Sequence, residues 1–374
     1  MSNSNDSRVT QRGSFTAEEQ LAPPRRPLAG QSARDATDDL ASARATIGGF
    51  DWEWLPSAAR EQWLHTIRDF AFPRHDRRDW AEFRTLSRQA AAAILPQEVI
   101  DLSREFARPG GHDAIVIDNL PVDVNLGPTP PDGQRPSQKK AVSEAVITGI
   151  VECMGYEVFS YQQEKQGELF HQLVPVSGQE DKQSNTGRAK FDFHTDNANI
   201  PTRFRQECLG LFGLRNENYV STMVITIEDL KHALPYALLQ KLRYPIYRLP
   251  APLSFDLADW TVLSEPRPII WTDDGGIDRI ALPRSDFAQA DPEAEEAIGR
   301  LRALLDTMEP RRVVVSPGRF LAFRDNRVLH GRDKVVGDRW LQRVYFSRML
   351  DCLRAATNSN SGEFSFDVRL LMMK

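Results

Sequence analysis

The segment Ala189-Lys190-Phe191-Asp192-Phe193-His194-Thr195-Asp196 alternates apolar and polar residues. In an extended strand, residues two apart project to the same side. Ala189, Phe191 and Phe193 then share one face, and Lys190, Asp192, His194 and Asp196 the other. His194 and Asp196 therefore point at one spot, as two ligands of one metal ion must. A surface strand with a polar face is the alternative. A third candidate ligand lies far downstream in Phe320-Leu321-Ala322-Phe323-Arg324-Asp325-Asn326-Arg327-Val328-Leu329-His330-Gly331-Arg332. Here an apolar strand ends in a turn, and His330 follows in an apolar context. Taken alone, His330 reads equally as a satisfied core histidine. Two histidines and one carboxylate would occupy one face of a metal and leave three positions open, the arrangement of non-haem Fe(II) oxygenases.

Close behind comes Arg339-Trp340-Leu341-Gln342-Arg343-Val344-Tyr345-Phe346-Ser347-Arg348. In a strand, Arg339 and Arg343 share a face and Arg348 points the other way. Two guanidinium groups facing one pocket repel unless anions sit between them, and arginine binds carboxylates bidentately. A solvated basic edge strand is the alternative.

The elements that must carry these residues can be read coarsely. Residues 50–108 have a helical texture, with helices expected at 58–70, 80–94 and 96–106, the last stopped by Pro109-Gly110-Gly111. A short strand at 114–117 and a helix at 138–154 follow. From about 156 onward, β-branched and aromatic runs alternate with turn residues. Strands are expected at 170–176, 189–194, 219–227, 247–249, 268–271, 312–315, 320–323 and 340–348, with helical insertions at 230–242 and 292–308. Helices first and strands later fit an α+β chain with a sandwich or barrel core.

Composition narrows the classes further. The 374 residues carry 47 Lys+Arg and 52 Asp+Glu, a net charge of −5, which leaves no electrostatic footprint for nucleic acid or an anionic membrane. No apolar run reaches the ~18 residues of a membrane span, and the N-terminal Met-Ser-Asn-Ser-Asn-Asp lacks the apolar stretch of a secretory signal. Cys153, Cys208 and Cys352 are too few and too scattered for a disulfide framework or a cysteine-ligated zinc site. A cytoplasmic protein is expected. Residues 1–45, rich in Ser, Asp, Arg, Gln and Pro, read as a disordered arm.

Together, Phe193-His194-Thr195-Asp196, Thr222 in Tyr219-Val220-Ser221-Thr222-Met223, Pro317-Gly318, the segment Asp325 to Arg332, and Arg339-Trp340-Leu341-Gln342-Arg343 resemble the clavaminate-synthase-like and taurine-dioxygenase-like superfamily of Fe(II)/2-oxoglutarate dioxygenases. The resemblance spans roughly residues 110–355. It implies a double-stranded β-helix (jelly-roll) core flanked by helices. The expected organisation is a single dioxygenase domain over 46–374: a helical part at 46–110, the core at about 111–355, and a C-terminal extension. It also implies that His194, Asp196 and His330 ligate Fe(II) and that O₂ and 2-oxoglutarate are cosubstrates. Thr222 would contact the C1 carboxylate of 2-oxoglutarate, Arg339 its C5 carboxylate, and Arg343 the substrate α-carboxylate, although the two arginines could exchange or share roles. A halogenating relative would have Ala or Gly at 196, so Asp196 argues for hydroxylation.

Other segments resemble the free L-amino-acid hydroxylases of that superfamily, which act on asparagine, arginine or lysine. By position, Gln163 matches the residue that contacts the substrate α-amine and Ser184 one that contacts the α-carboxylate; both read equally as loop polar residues. In Trp271-Thr272-Asp273-Asp274-Gly275-Gly276-Ile277-Asp278-Arg279, the carboxylates of Asp273, Asp274 and Asp278 would suit a cationic side chain, whose burial needs a charged partner. A glycine-rich hairpin turn with aspartates at turn positions is the alternative. The expected substrate is L-lysine, ahead of L-arginine or another small amino acid, free or bound to a carrier protein.

Overall fold

The computed structural model describes residues 49–73, 76–252, 254–255, 263–284, 289–348 and 350–372; the expected arm at 1–45 lies outside them. In chain order the strands are β1 (Asp51–Trp54), β2 (Ala114–Asp118), β3 (Glu157–Tyr161), β4 (His171–Leu173), β5 (Phe191–His194), β6 (Cys208–Asn216), β7 (Ser221–Thr226), β8 (Ile270–Thr272), β9 (Asp278–Ile280), β10 (Arg311–Val314), β11 (Phe320–Arg324), β12 (Val328–Arg332), β13 (Arg339–Ser347) and β14 (Ser365–Phe366). The helices are α1 (Ser57–Ile67), α2 (Arg77–Ile94), α3 (Gln97–Ala107), α4 (Val142–Cys153), α5 (Ile227–Ala233), α6 (Tyr236–Leu242), α7 (Pro292–Thr307), α8 (Asp351–Ala356) and α9 (Val368–Met372). No helix among the described residues is long and apolar enough to cross a membrane.

Two sheets build a jelly-roll core. The larger runs β1-β2-β11-β6-β13-β3-β14, with β4 also paired to β13; the smaller runs β10-β7-β12-β5. Nearly all pairings are antiparallel, but β1 joins β2, and β14 joins β3, in parallel. Strand periodicity explains the layers. On β13, Leu341 and Tyr345 enter one apolar cluster, shared with Val224 of β7 and Val328 of β12. Trp340, Val344 and Phe346 of the same strand enter another, with α1, α2, α3 and α4. On the smaller sheet, Val328 faces the first cluster, while Leu329 packs with α5, α6 and α7. Both faces of these strands are buried, so they read as continuous apolar runs rather than alternating ones.

Several elements differ from expectation. Residues 51–54, taken as helical, form an edge strand on β2. The single helix expected at 230–242 is two, α5 and α6, because Pro235 cannot continue the first. At 247–249 there is no strand, only isolated bridges at Tyr247 and Pro250. The long strand β6, central to the larger sheet, was not among the expected strands and carries Gly210 and Gly213. Both are there for space: a Cβ at Gly210 would lie 2.6 Å from the Phe320 ring, and one at Gly213 would lie 2.0 Å from the Ser316 carbonyl.

Candidate active site

The two histidines come together through register. On the smaller sheet, β12 pairs with β5 so that His330 stands opposite His194, and their rings lie 4.3 Å apart. Asp196 follows two residues after His194, just past the end of β5. Its Oδ1 lies 3.2 Å from His194 Nε2 and 3.5 Å from His330 Nε2. One ligand atom from each residue lies within 4.8 Å of the others, and all three side chains are buried. His194 Nδ1 donates to the Asp192 carbonyl at 2.8 Å. A carbonyl can only accept, so Nε2 is left bare, the tautomer a metal ligand needs.

The carboxylate is held from behind. Arg343 and Tyr345 donate to Asp196 Oδ2 at 2.7 and 2.9 Å. Asp325 Oδ1 accepts from the Asp196 backbone N–H, and Gln206 bridges the Asp196 carbonyl and Asp325 Oδ2. Burial works against the Asp196 charge, but Arg343 and the two histidines outweigh it and hold the carboxyl well below its usual range. Burial, with the neighbouring His194, lowers His330 to about 4. The cluster thus offers two imidazoles and one carboxylate on one side of a point, a donor set that suits Fe(II).

Strand β13 also carries a guanidinium without a counter-ion among the described residues. Arg339 occupies the inner face of β13, and its side chain makes no ion pair or hydrogen bond with any described residue; its Nε is buried and unpartnered. Burial, reinforced by Arg332, pushes it down to about 9. Thr222 Oγ1 is also buried without a partner, and the register of β12 on β7 puts Arg332 opposite Thr222. Buried polar groups are normally paired. Arg332 thus stands opposite the unpaired hydroxyl, and its charge is also felt by the unpaired guanidinium; a small carboxylate ligand such as 2-oxoglutarate would supply the missing partner.

Arg343 is differently placed. Besides Asp196, it donates to Glu164 Oε1 and His171 Nδ1, both at 2.5 Å. His171 Nε2 donates to the Glu168 carbonyl, and burial lowers the ring to about 4, so it is a neutral acceptor toward Arg343. Burial opposes the charge on Arg343, but Glu164, Tyr345 and Asp196 hold it above the ordinary arginine value. Glu164 Oε2 remains buried and unpartnered.

The other expected substrate contacts go elsewhere. Gln163 turns away from Arg343 and bonds Asp367 Oδ1 and the Val368 N–H; its neighbour Glu164 is the residue that faces Arg343. Ser184 Oγ bonds Thr186 Oγ1 inside its own turn. Asp273 caps the β8–β9 hairpin through the N–H groups of Gly275 and Ile277 and pairs with Arg279. Asp278 pairs with Lys231 and Arg243, and Asp274 is exposed. No hydrogen bond or ion pair among the described residues joins these three aspartates to the histidine cluster or to Arg343. Tyr345 was not singled out in the sequence, although it lies two beyond Arg343 on the same strand face. Glu164, His171 and Gln206 carried no comparable signal.

Comparison with known proteins bears on this geometry. No protein-family model matches the chain. L-asparagine oxygenase of Streptomyces coelicolor is 29% identical over 289 residues, 73% of this chain and 81% of that protein. Clavaminate synthase 2 of Streptomyces clavuligerus is 27% identical, covering 68% of this chain and 80% of the relative. In sequence and fold the chain is similar to the clavaminate synthase-like Fe(II)/2-oxoglutarate oxygenases. L-lysine 4-hydroxylase of Chitinophaga pinensis is 27% identical over 44% of each chain. Among solved structures, asparagine oxygenase in complex with Fe(II), hydroxyasparagine and succinate superposes with a TM-score of 0.72 at 25% identity, over 84% of this chain and 99% of that one. The oxygenase is therefore an iron- and 2-oxoglutarate-dependent enzyme with a jelly-roll core.

Proposed function

We propose that the oxygenase hydroxylates an unactivated C–H of a free L-α-amino acid, with His194, Asp196 and His330 as iron ligands and Thr222 and Arg339 as contacts of 2-oxoglutarate. The observation that carries the substrate class is the buried Arg343–Glu164 pair beside the histidine cluster. An α-amino acid presents a carboxylate and an ammonium a short distance apart. A guanidinium next to a carboxylate is the complementary pair, and the unpartnered Glu164 Oε2 is an acceptor in place for the ammonium. When bound, iron and 2-oxoglutarate supply oxidative decarboxylation to succinate and CO₂, coupled to insertion of an oxygen atom from O₂ into the C–H bond.

The chain's own residues supply position. Arg343 and Tyr345 fix one oxygen of Asp196, which leaves Oδ1 turned toward the histidines. The same Arg343 would hold the substrate backbone, so the reacting carbon is set by its distance from the α-carbon. Ser184, on its turn, would contribute at the α-carboxylate end through a side-chain rearrangement.

For the side chain we infer a cationic substrate, L-lysine or L-arginine, with the two of equal standing. The similarity to L-lysine 4-hydroxylase supports it. The partners of Asp273 and Asp278 do not, because both carboxylates are already neutralised by the protein. The similarity to asparagine oxygenase favours L-asparagine as the second reading. The test is succinate release from 2-oxoglutarate and Fe(II) with each proteinogenic amino acid in turn. Stimulation by lysine or arginine supports the first reading and by asparagine the second, whereas none by any amino acid removes the substrate class.

A further inference from the structure

The turn that presents Glu164 is unusual in its backbone. Lys165, Gln166 and Gly167 are successive left-handed residues, with φ of 49°, 59° and 78°. Non-glycine residues adopt this region reluctantly, and such conformations persist where the surroundings over-determine them. The surroundings here are the C-terminal segment. β14 runs parallel to β3, with Ser365 beside Ser160 and Phe366 beside Tyr161. Gln162 donates from its backbone to the Phe366 carbonyl and from its amide to the Ser365 carbonyl. Ser160 Oγ donates to the Gly167 carbonyl at 2.7 Å and lies 2.9 Å from Ser365 Oγ. The tail packs so closely on the turn that a Cβ at Gly167 would lie 2.8 Å from Ser365 Oγ.

Gln163 is the side-chain link. Its Oε1 accepts from the Val368 N–H at 2.8 Å, and its Nε2 donates to Asp367 Oδ1 at 2.9 Å. The tail is in turn anchored in the core: Phe366, Val368 and Leu371 are fully buried, and Asn199 Nδ2 donates to Met372 Sδ at 3.1 Å. In the turn that leaves β3, Gln163 faces the tail while Glu164 faces Arg343.

We propose that residues 363–372 form a strap that holds the 162–168 turn through Gln163, and that Gln163 is a positioning residue which sets amino-acid affinity by keeping Glu164 against Arg343. This rests on the reading of Glu164 as the acceptor for the substrate ammonium. Gln163 does not touch substrate; it acts through its neighbour.

A charge swap tests the strap in the full-length enzyme. Gln163→Glu places a carboxylate against Asp367. The double variant Gln163→Glu/Asp367→Asn restores a donor opposite that carboxylate. The single variant is expected to raise the amino-acid KM about tenfold or more while the 2-oxoglutarate KM stays within about twofold, and the double variant to return both to wild-type values. Hydrogen–deuterium exchange of residues 160–168 is expected to rise in the single variant and fall back in the double. Unchanged amino-acid KM and unchanged exchange in Gln163→Glu would overturn the strap. So would a loss that the second substitution does not reverse and that raises both KM values together, since that reports general destabilisation. If the wild-type enzyme turns over no amino acid, the reading of Glu164 falls, and exchange alone decides the strap: equal exchange in all three proteins refutes it, while release and rescue sustain it.

Discussion

Replacing Arg339 by methionine should make the ligand-free protein more stable and the cosubstrate-binding protein useless. The side chain is buried at 5% exposure and meets no carboxylate among the described residues. Its folded value, about 9, lies below the ordinary arginine value because burial and Arg332 both oppose its charge. The sign follows directly. A cation whose value falls on folding is penalised wherever it is charged in both states, so the penalty is fully present below pH ~9 and disappears only as pH rises toward the unfolded value. Methionine keeps much of the volume without the charge, and such replacements of buried ions return about 1–4 kcal/mol. The cost appears on ligand binding. Losing one partner of a desolvated charge pair costs about 2–5 kcal/mol, or roughly 30- to several-thousand-fold in affinity. Thermal unfolding in anaerobic buffer with iron reads both effects. Wild-type Tm should rise with 2-oxoglutarate by mass action. Arg339→Met should start several degrees higher without the ligand and show no rise with it. A lower starting Tm, or a retained 2-oxoglutarate shift, would refute the idea that Arg339 is a charge held ready for an anion.

Further outcomes follow from the same structure. His194→Ala and His330→Ala should each lose bound iron by metal analysis while keeping the far-ultraviolet circular dichroism of the wild type, because removing a ligand leaves the two sheets intact. Glu164→Gln should raise the KM for every amino acid that the enzyme accepts by about tenfold or more and leave the 2-oxoglutarate KM unchanged, since its partner is common to all of them. Asp278→Asn should lower Tm slightly without changing the ranking of amino-acid substrates, because its partners are Lys231 and Arg243; a changed ranking would return the hairpin to the substrate site. Glu144, buried among Lys139, Arg135 and Gln342, is opposed by burial but held down at about 2 by the two cations. Its contribution is present above the ordinary carboxylate value and is lost as pH falls toward 2. Acid unfolding between pH ~4.5 and ~2 should therefore be shallower in Glu144→Gln.

The parts legible in the sequence were those governed by local period. His194 and Asp196 share a face because strands repeat every two residues, and Arg339 and Arg343 share one for the same reason. What brings His330 to His194 is the register of β12 on β5, which local period cannot give; family resemblance supplied it. Residues whose role depends on contacts made elsewhere were not legible. Strand β6 was not among those expected, and the need for Gly210 and Gly213 in it comes from the ring and carbonyl of β11 and the turn before it, which exclude a Cβ. Asp278 read as part of a cation site because the cations that neutralise it, Lys231 and Arg243, arrive from α5 and the end of α6, whereas the partner of Asp273, Arg279, lies in the same hairpin. Gln163 and Glu164 are adjacent and chemically similar, so only the position of the C-terminal segment separates their roles.

The most direct measurement is turnover of the amino acid selected by the succinate panel under isotopically heavy O₂, with product mass and succinate followed together. The expected product is the amino acid carrying one heavy oxygen atom, formed in step with succinate and absent without Fe(II). Succinate released with the amino acid unchanged in mass, or a product oxygen derived from water, would contradict hydroxylation at the site built by His194, Asp196, His330 and Arg343.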